Sequence, residues 1–323
     1  MTRVIIPDDG PPVMRASDAY RTLAERLSVG YFDKLPSSEI DLIDRIREAE
    51  VVINIRSSSR FTESVFAQSK QLRLLSLWGT GTDNVDLAAA AGHGVTVTNT
   101  PGVAATSIAE HCLALLLATA RRIPQADSQV REGGWPRGGG VQMHGKTLGV
   151  IGLGAIGRRF ARLGAAIGMR VITWTMHPDP ALGFEHVPLD QLYRDSDAIS
   201  IHLRLSDETR GMIGAPAFAL MKPSVILINT ARGLIVDEAT LLQALTETRI
   251  AGAGLDVFDT EPLPAGHPLT KLSNVVMTPH SAGITPEALE AGLQMAVDNV
   301  FNFLAGRPSH VVIPPRSASP GAP

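Results

Sequence analysis

The chain has 323 residues, of which 44% are hydrophobic and 19% are charged, and its formal net charge at pH 7 is −3. This length suits two domains of ordinary size, with enough apolar residues for a core in each. The slightly acidic balance excludes the basic footprint of a nucleic-acid-binding protein, so no nucleic-acid partner is predicted.

No segment predicts export or membrane insertion. Pro7, Asp8 and Asp9 follow the first apolar run, and the longest apolar run, 112–118, is far shorter than a membrane span. The only cysteine, Cys112, lies in that run, where a buried and unreactive thiol is expected. We therefore expect a cytoplasmic protein that does not associate with a membrane.

Short apolar runs alternate with helix-like segments through the first hundred residues. Strands are predicted at 4–6, 51–55, 72–77 and 95–98, and helices near 17–27, 63–69 and 85–91. Strands separated by helices favour βαβ units and a parallel sheet. Residues 1–99 are therefore predicted to form one α/β domain.

A long apolar helix is predicted over 107–122, followed by a glycine-rich stretch. Ser107 and Glu110 have the spacing of a capping box, and Pro124 is expected to stop the helix. Residues 131–140 contain five glycines and a proline, which is typical of an exposed arm. We expect this arm to reach over a neighbouring subunit in a homodimer.

The alternation resumes after residue 147. Strands are predicted at 148–151, 170–174, 198–203, 225–229, 251–257 and 275–278, with helices from the glycine turn to Gly168 and near 238–247. This length fits a complete doubly wound nucleotide domain over 100–284. A helix over 286–304 is predicted to cross back to the first domain, and 314–323 is expected to be a disordered tail.

The predicted fold is thus α/β, with two doubly wound parallel-sheet domains. A Rossmann nucleotide domain, 100–284, is inserted in a flavodoxin-like substrate domain made of 1–99 and 285–323.

A glycine pattern at 152–157 is the candidate cofactor turn. It directly follows an apolar run and opens a helical stretch, so Gly152 suits the tight turn, Gly154 the approach of a pyrophosphate and Gly157 the contact between helix and strand. Such a pattern alone also occurs in ordinary turns. Its context favours a dinucleotide site.

The acid that usually selects NAD is missing from the end of the next predicted strand, where Thr175 stands instead. Without that negative charge a 2′-phosphate is not repelled, and His177 or Arg204 would be available to contact one. Alternatively, Thr175 binds a ribose hydroxyl of NAD. The sequence leaves the choice between NAD and NADP open.

Three polar side chains each follow a predicted strand of the second domain: Arg232, Glu261 and His280. Together they offer an anion clamp and a general acid/base pair. Taken singly, Arg232 could cap a helix, Glu261 could be a solvated carboxylate and His280 a satisfied core histidine. Their shared position at strand ends beside a nucleotide crevice favours catalysis.

With these motifs, the segments 79–86, 99–102, 109–111, 254–262 and 278–283 make the chain resemble D-isomer-specific 2-hydroxyacid dehydrogenases over nearly its whole length. That family includes glyoxylate/hydroxypyruvate reductases and phosphoglycerate dehydrogenases. The resemblance implies that Arg232 binds the substrate carboxylate and carbonyl oxygen, and that His280 donates a proton to the keto oxygen. Glu261 would orient the imidazole, and its presence disfavours formate dehydrogenase chemistry, for which a glutamine is implied.

The resemblance also implies further contacts. Substrate contacts are implied at Arg232, His280, Ser57, Thr80 and Gly81. Cofactor contacts are predicted at Thr106, Gly152, Gly154, Ala155, Ile156, Gly157, Thr175, Leu203, Arg204, Thr230, Ala231, Asp256, Ala282 and Gly283. No metal is expected, since the nine histidines include no HExxH pattern.

The predicted function is therefore reduction of a small 2-keto acid to the D-2-hydroxy acid with NAD or NADP. The same fold also serves nucleotide-sensing co-repressors that resemble this family, and an NAD(H)-sensing protein with little turnover is the alternative.

Overall fold

The computed structural model describes residues 2–315, so most of the predicted tail, from 316 onward, lies outside the described residues. The chain divides into two compact units. Unit 1 comprises residues up to 104 together with those from 285 onward, and unit 2 comprises 105–284.

The first part of unit 1 alternates strands and helices. The strands are β1 (Arg3–Ile6), β2 (Ser28–Tyr31), β3 (Val51–Asn54), β4 (Leu74–Leu77) and β5 (Thr96–Thr98), and the helices are α1 (Asp18–Ala24), α2 (Glu39–Ile46), α3 (Glu63–Gln68) and α4 (Leu87–Gly92). The four predicted strands and three predicted helices are confirmed. The sequence prediction missed β2 and α2.

Unit 2 begins with two helices and continues as a βα alternation. The helices are α5 (Ala105–Arg121), α6 (Ile123–Arg131), α7 (Ala155–Ala166), α8 (Leu189–Asp195), α9 (Ala215–Leu220) and α10 (Glu238–Thr246). The strands are β6 (Thr147–Ile151), β7 (Arg170–Trp174), β8 (Glu185–His186), β9 (Ala198–Ile201), β10 (Ile226–Asn229), β11 (Gly252–Leu255) and β12 (Val275–Met277). Short 3-10 helices span Pro180–Leu182, Gly233–Ile235 and Pro268–Lys271.

The sheet of unit 2 is parallel throughout, in the order β12-β11-β10-β9-β6-β7-β8. Strands β7 and β8 follow on one side of β6, and strands β9 to β12 follow on its other side. This is the doubly wound Rossmann arrangement, whose ligands bind at the carboxyl ends of the strands where the order reverses.

The chain returns to unit 1 through α11 (Pro286–Leu304) and β13 (Val311–Ile313). The sheet of unit 1 has the order β13-β5-β4-β3-β1-β2, in which β13 is antiparallel to β5 and the other pairs are parallel. The order β2-β1-β3-β4-β5 is that of flavodoxin-like folds. The predicted fold class is therefore confirmed, with one antiparallel edge strand that was not predicted.

Helix α11 has the predicted bounds and packs on the sheet of unit 1. It starts at Pro286, where Thr285 caps the helix by accepting a hydrogen bond from the Ala288 N–H at 3.2 Å. Its apolar face contributes fully buried residues to the core around β1 and β3, namely Leu293, Ala296, Val297 and Val300. Burying each leucine or valine stabilises the fold by about 1.5–3 kcal/mol.

The helix predicted over 107–122 is confirmed, but the signals assigned to its two ends are wrong. Helix α5 begins at Ala105, so Ser107 is a helical residue and not a cap. The helix ends because Arg122 adopts a left-handed conformation with φ of 52°, and Pro124 then lies in the first turn of α6. Proline is tolerated there because the first N–H groups of a helix have no partner within it. The residues from 132 to 142, as predicted, form an exposed arm without regular structure.

Helix α5 also carries the single cysteine. Cys112 is fully buried, and burial raises the pKa of its thiol to about 12 although Thr230 Oγ1 lies 3.1 Å away. The predicted burial of this thiol is therefore confirmed. Within residues 2–315 no helix is both long and apolar enough to cross a bilayer.

Candidate active site

Three neighbouring strands of unit 2 lead into the polar loops singled out in the sequence. Strands β10, β11 and β12 are adjacent and parallel, so their carboxyl ends lie at one edge of the sheet. Arg232 follows β10, Asp256 follows β11 and His280 follows β12. The fold therefore brings together side chains that are up to 48 residues apart.

The loop after β10 is fixed by Asn229, which is buried at the end of the strand. Its Oδ1 accepts a hydrogen bond from the Ala231 N–H at 3.0 Å, and its Nδ2 donates to the Arg232 carbonyl at 2.9 Å. Arg232 itself is half-buried, and its Nη1 donates to the Ala231 carbonyl at 2.7 Å. Sequence reasoning did not assign this role to Asn229.

Gly233 lets the loop after β10 approach the loop after β11. A Cβ at this position would stand 2.1 Å from the carbonyl carbon of Phe258, far inside contact distance. Since Phe258 lies in the loop that carries Glu261, the glycine brings the arginine loop against the glutamate loop.

Glu261 and His280 form a hydrogen-bonded pair. His280 Nδ1 lies 2.6 Å from Glu261 Oε2, while Glu261 Oε1 accepts from the Phe258 N–H at 3.0 Å. Burial acts to raise the pKa of Glu261, but the hydrogen bonds from His280 and Phe258 and the charges of His280 and Arg232 outweigh it and hold that pKa below its usual range. The ionised carboxylate only accepts hydrogen bonds, so His280 Nδ1 carries a hydrogen.

The backbone of His280 is unusual. Its φ is 51°, in the left-handed region that non-glycine residues rarely adopt. The next two N–H groups, those of Ser281 and Ala282, donate to the carboxylate of buried Asp256 at 2.8 and 2.9 Å. The side chain of His280 remains 43% exposed, which leaves the imidazole accessible to a ligand.

The glycine turn after β6 has the geometry that its sequence predicts. Gly152 has φ of 96°, and a Cβ there would lie 2.6 Å from the His202 carbonyl oxygen. A Cβ at Gly157 would lie 2.0 Å from the Gly152 carbonyl oxygen, whereas a Cβ at Gly154 would meet nothing within 4 Å. Gly152 and Gly157 therefore serve the turn itself, and Gly154 leaves open space at the start of α7.

This open space fits a dinucleotide phosphate. Gly154 is the N-cap of α7 and supplies no side-chain hydrogen bond, so the first N–H groups of the helix are not capped by a side chain. Ala155 and Ile156 form its first turn. The N–H groups and helix dipole at this end favour an anion.

His202 adjoins the turn and was not predicted as a site residue. Burial lowers the pKa of its imidazole to about 3, so the ring is neutral at physiological pH. Ser200 Oγ lies 2.9 Å from its Nε2, and the ring packs on Phe160 with centroids 5.6 Å apart. A histidine following an apolar strand was the available signal, but such residues are usually structural.

The end of β7 lacks an acid, as the sequence indicates. Thr175 is half-buried, and Met176 and His177 after it are exposed. The first acid beyond β7 is Asp179, whose Oδ1 accepts from the Ala181 N–H at 3.0 Å and so caps a 3-10 helix. That carboxylate is engaged within its own turn.

The other predicted cofactor residues of unit 2 have varied environments. Thr106 and Arg204 are exposed, Leu203, Ala231 and Gly283 are half-buried, and Thr230 and Ala282 are buried. Their proposed contacts stay predictions. Within residues 2–315 no group of three or more His, Cys, Asp or Glu side chains is arranged to hold a metal ion.

The predicted substrate residues of unit 1 lie at the carboxyl end of its sheet. Ser57 follows β3, and Thr80 and Gly81 follow β4; all three are exposed. The loop after β4 is held by Asn99, whose Nδ2 donates to the Thr80 carbonyl at 2.8 Å, and by Thr100, whose Oγ1 accepts from the Gly79 N–H at 2.7 Å.

Asp8 fixes the loop that carries Ser57 and was not predicted. It is fully buried after β1, and its carboxyl group accepts from the Ile55 N–H at 2.9 Å and the Arg56 N–H at 3.3 Å. Burial raises its pKa against the opposing effect of these hydrogen bonds. The carboxyl group therefore supports a loop and does not face solvent.

Comparison with known proteins gives consistent matches. Residues 113–282 match the sequence profile described as D-isomer specific 2-hydroxyacid dehydrogenase, NAD binding domain. A glyoxylate reductase of Aeropyrum pernix is 41% identical over 304 residues, which cover 90% of each chain. A D-3-phosphoglycerate dehydrogenase of Archaeoglobus fulgidus is 40% identical over 85% of this chain and 53% of that protein. The crystal structure of an NADPH-dependent glyoxylate/hydroxypyruvate reductase of Sinorhizobium meliloti superposes with a TM-score of 0.86 at 28% identity, covering 97% of this chain and 98% of that one.

Proposed function

Because the chain belongs to the D-isomer specific 2-hydroxyacid dehydrogenase family, we propose that it reduces a small 2-keto acid to the D-2-hydroxy acid with a nicotinamide cofactor. It is an oxidoreductase, and glyoxylate and hydroxypyruvate are the proposed substrates because relatives with those names cover most of the chain. The observation that carries the proposal is the Glu261–His280 pair of 2.6 Å. Its two residues lie in the loops after β11 and β12, and β11 is adjacent to β10, which leads to Arg232.

The residues divide the work by their chemistry. The guanidinium of Arg232 stays charged and presents paired N–H donors, which suit the carboxylate and keto oxygen of the substrate. Because Glu261 engages Nδ1 of His280, the ring offers Nε2 to the substrate. In the reduction, Nε2–H donates a proton to the keto oxygen, and in the oxidation the neutral Nε2 removes it.

The cofactor would be held along the carboxyl edge of unit 2. The N–H groups at the start of α7 would bind its pyrophosphate in the space that Gly154 leaves open. When bound, the nicotinamide supplies or accepts the hydride. Further contacts are proposed at Thr106, Leu203, Thr230, Ala231, Asp256, Ala282 and Gly283, and substrate contacts at Ser57, Thr80 and Gly81.

A panel assay tests the activity. Oxidation of NADH and NADPH is followed with glyoxylate, hydroxypyruvate, pyruvate and phenylpyruvate, with Arg232→Lys as the matched variant. We expect Arg232→Lys to lower kcat/KM by about 100-fold, since lysine keeps the charge but lacks the planar, paired donors of the guanidinium. Cofactor binding without turnover of any 2-keto acid would refute the activity and favour the nucleotide-sensing alternative, which no comparison supports.

We propose that NADPH is accepted as well as NADH. The support is the absence of an acid at Thr175 and the engagement of Asp179 in its own turn. Thr175→Asp places a carboxylate where a 2′-phosphate would lie, and we expect it to lower kcat/KM for NADPH by about tenfold or more relative to NADH. A wild-type preference for NADH above a hundredfold would refute NADPH use.

A homodimer is proposed from the surface of α6 and the arm that follows. Exposed apolar side chains cluster in this segment, namely Ile123 at 53%, Val130 at 49%, Trp135 at 78% and Val141 at 46% exposure. Exposed apolar side chains gathered in one segment are typical of protein interfaces. Light scattering on the wild type and on Val130→Asp tests this, since a monomeric wild type would refute it.

Cytoplasmic residence is also proposed, with the buried Cys112 thiol in support.

A further inference from the structure

A chain of hydrogen bonds connects helix α5 to the turn that carries His280. His111 of α5 has its Nε2 2.9 Å from Thr278 Oγ1, and Thr278 Oγ1 donates to Asp256 Oδ1 at 2.6 Å. His111 Nε2 is itself 3.7 Å from Asp256 Oδ1. These residues come from a helix and from the ends of two adjacent strands.

The chemistry of the three groups determines which of them donates and which accepts each hydrogen bond. The hydroxyl of Thr278 has one hydrogen, and Asp256 accepts it. Thr278 Oγ1 must therefore accept at its contact with His111, so His111 Nε2 carries a hydrogen and donates it. His111 therefore donates to Thr278, and Thr278 donates to Asp256.

Asp256 in turn accepts hydrogen bonds from the turn that carries His280. Its Oδ1 accepts the Ser281 N–H and its Oδ2 accepts the Ala282 N–H, at 2.8 and 2.9 Å. The residue just before them, His280, has the left-handed φ of 51°. Such a conformation is unfavourable for a residue with a side chain and persists only where its surroundings fix it. The two clamped N–H groups are the contacts that hold the chain on the far side of His280.

Helix α5 is a rigid place from which to hold the carboxylate. Its residues Cys112, Leu115 and Leu116 are buried in a core of unit 2. A Cβ at Gly254 of β11 would meet the Leu115 Cβ at 2.9 Å, so the helix packs directly on the strand that ends at Asp256. A displacement of Asp256 from this position would move both N–H partners after His280.

We propose that Thr278 and His111 are positioning residues for the proton transfer, acting through Asp256 on the turn of His280. The inference rests on the proposed function only in taking His280 as the proton donor. The clamp on the turn is a property of the fold and is measurable without any substrate.

The kinetic test uses paired substitutions. Thr278→Val keeps the shape and removes the hydroxyl, whereas Thr278→Ser keeps the hydroxyl. We expect Thr278→Val to lower kcat by about tenfold or more, since small misplacements of catalytic groups are costly. Thr278→Ser should retain kcat within about threefold. The kcat of His111→Gln, which keeps an N–H donor, should likewise be higher than the kcat of His111→Leu.

The second readout is amide hydrogen exchange in the cofactor-free protein. We expect Thr278→Val to speed exchange at Ser281 and Ala282 by about tenfold, equivalent to the loss of about 1.4 kcal/mol of protection. Thr246→Val is the matched control, because Thr246 is exposed on α10 and its Oγ1 bonds only locally, to the Leu242 carbonyl at 2.8 Å. The control should leave kcat and both exchange rates unchanged.

The outcomes distinguish failure of the proposed clamp on the His280 turn from failure of the proposed function. Unchanged exchange at Ser281 and Ala282 in Thr278→Val overturns the clamp, as does a Thr278→Ser variant no better than Thr278→Val. A loss of kcat that merely follows the unfolded fraction overturns positioning in favour of a general structural role. If the wild type reduces no 2-keto acid, the proposed function fails and the exchange experiment still decides the clamp.

Discussion

The pairing of Glu261 with His280 is open to a substitution that changes one atom. In the wild type, the two carboxylate oxygens of Glu261 have separate partners: Oε1 accepts from the Phe258 N–H and Oε2 faces His280 Nδ1. Glu261→Gln leaves a single oxygen for these two contacts. If the amide oxygen keeps Phe258, the amide N–H₂ faces Nδ1 and opposes a hydrogen there. The imidazolium form then loses its partner and meets a second donor.

The magnitude follows from the hydrogen bond. A bond to a charged group contributes about 1.5–3 kcal/mol, and each 1.4 kcal/mol is a factor of ten in rate. We expect kcat/KM for keto-acid reduction to fall about 10- to 100-fold. The assay is the steady-state rate of NAD(P)H oxidation.

A matched control is available in another glutamate–histidine pair, at the surface of unit 1. Glu63 Oε1 lies 2.8 Å from His93 Nε2 in unit 1, and Glu63→Gln should leave kcat/KM within twofold. A Glu261→Gln enzyme with kcat/KM within twofold of wild type would refute the reasoning. Because the pKa of Glu261 is lowered on folding, its stabilising contribution is present above the unfolded-state pKa and is lost as the pH falls through the folded-state pKa.

Other substitutions follow from the same geometry. His280→Ala should lower kcat by about 100-fold or more through loss of acid catalysis, and near-normal turnover would contradict the assignment. Gly154→Ala should leave the thermal midpoint unchanged but weaken NAD(P)H binding by about tenfold, measured by fluorescence titration, because its Cβ enters the open space. Gly157→Ala should instead destabilise the fold by about 1–3 kcal/mol, because its Cβ overlaps the Gly152 carbonyl; equal midpoints for the two variants would be inconsistent with this. Cys112 should resist alkylation by iodoacetamide at pH 8 until the chain unfolds, since burial raises its pKa to about 12, and rapid labelling of the native protein would contradict its burial.

The sequence predicted the elements whose signals are local. Apolar runs identified the strands that carry the site, and the glycine roles at 152–157 were readable because each depends on neighbours within one βα turn. Helix α11 was predicted with its bounds because its helical pattern extends from Pro286 to Leu304. Arg232, Glu261 and His280 were recognisable by residue type and by position after a strand.

The misses are those that depend on tertiary context. Pro124 was taken to stop a helix, whereas a left-handed Arg122 ends α5 and leaves the proline free to open α6. β13 was not predicted because a three-residue edge strand gains its identity only from pairing with β5. The chain from His111 to Thr278 joins residues 167 apart in sequence, and no spacing rule reports a bond of that kind.

The return of the chain to unit 1 has a consequence for biosynthesis. Helix α11 supplies a layer of the core that contains Val4 and Ile6, and β13 covers the edge at β5, yet both emerge from the ribosome after every strand of unit 2. Domains generally fold as they are completed during synthesis, so unit 2 is able to reach its native state while the first hundred residues still lack their final layer. Nascent unit 1 must therefore wait with exposed apolar surface for about 180 residues of translation. Chaperone contact on stalled nascent chains should concentrate in that interval.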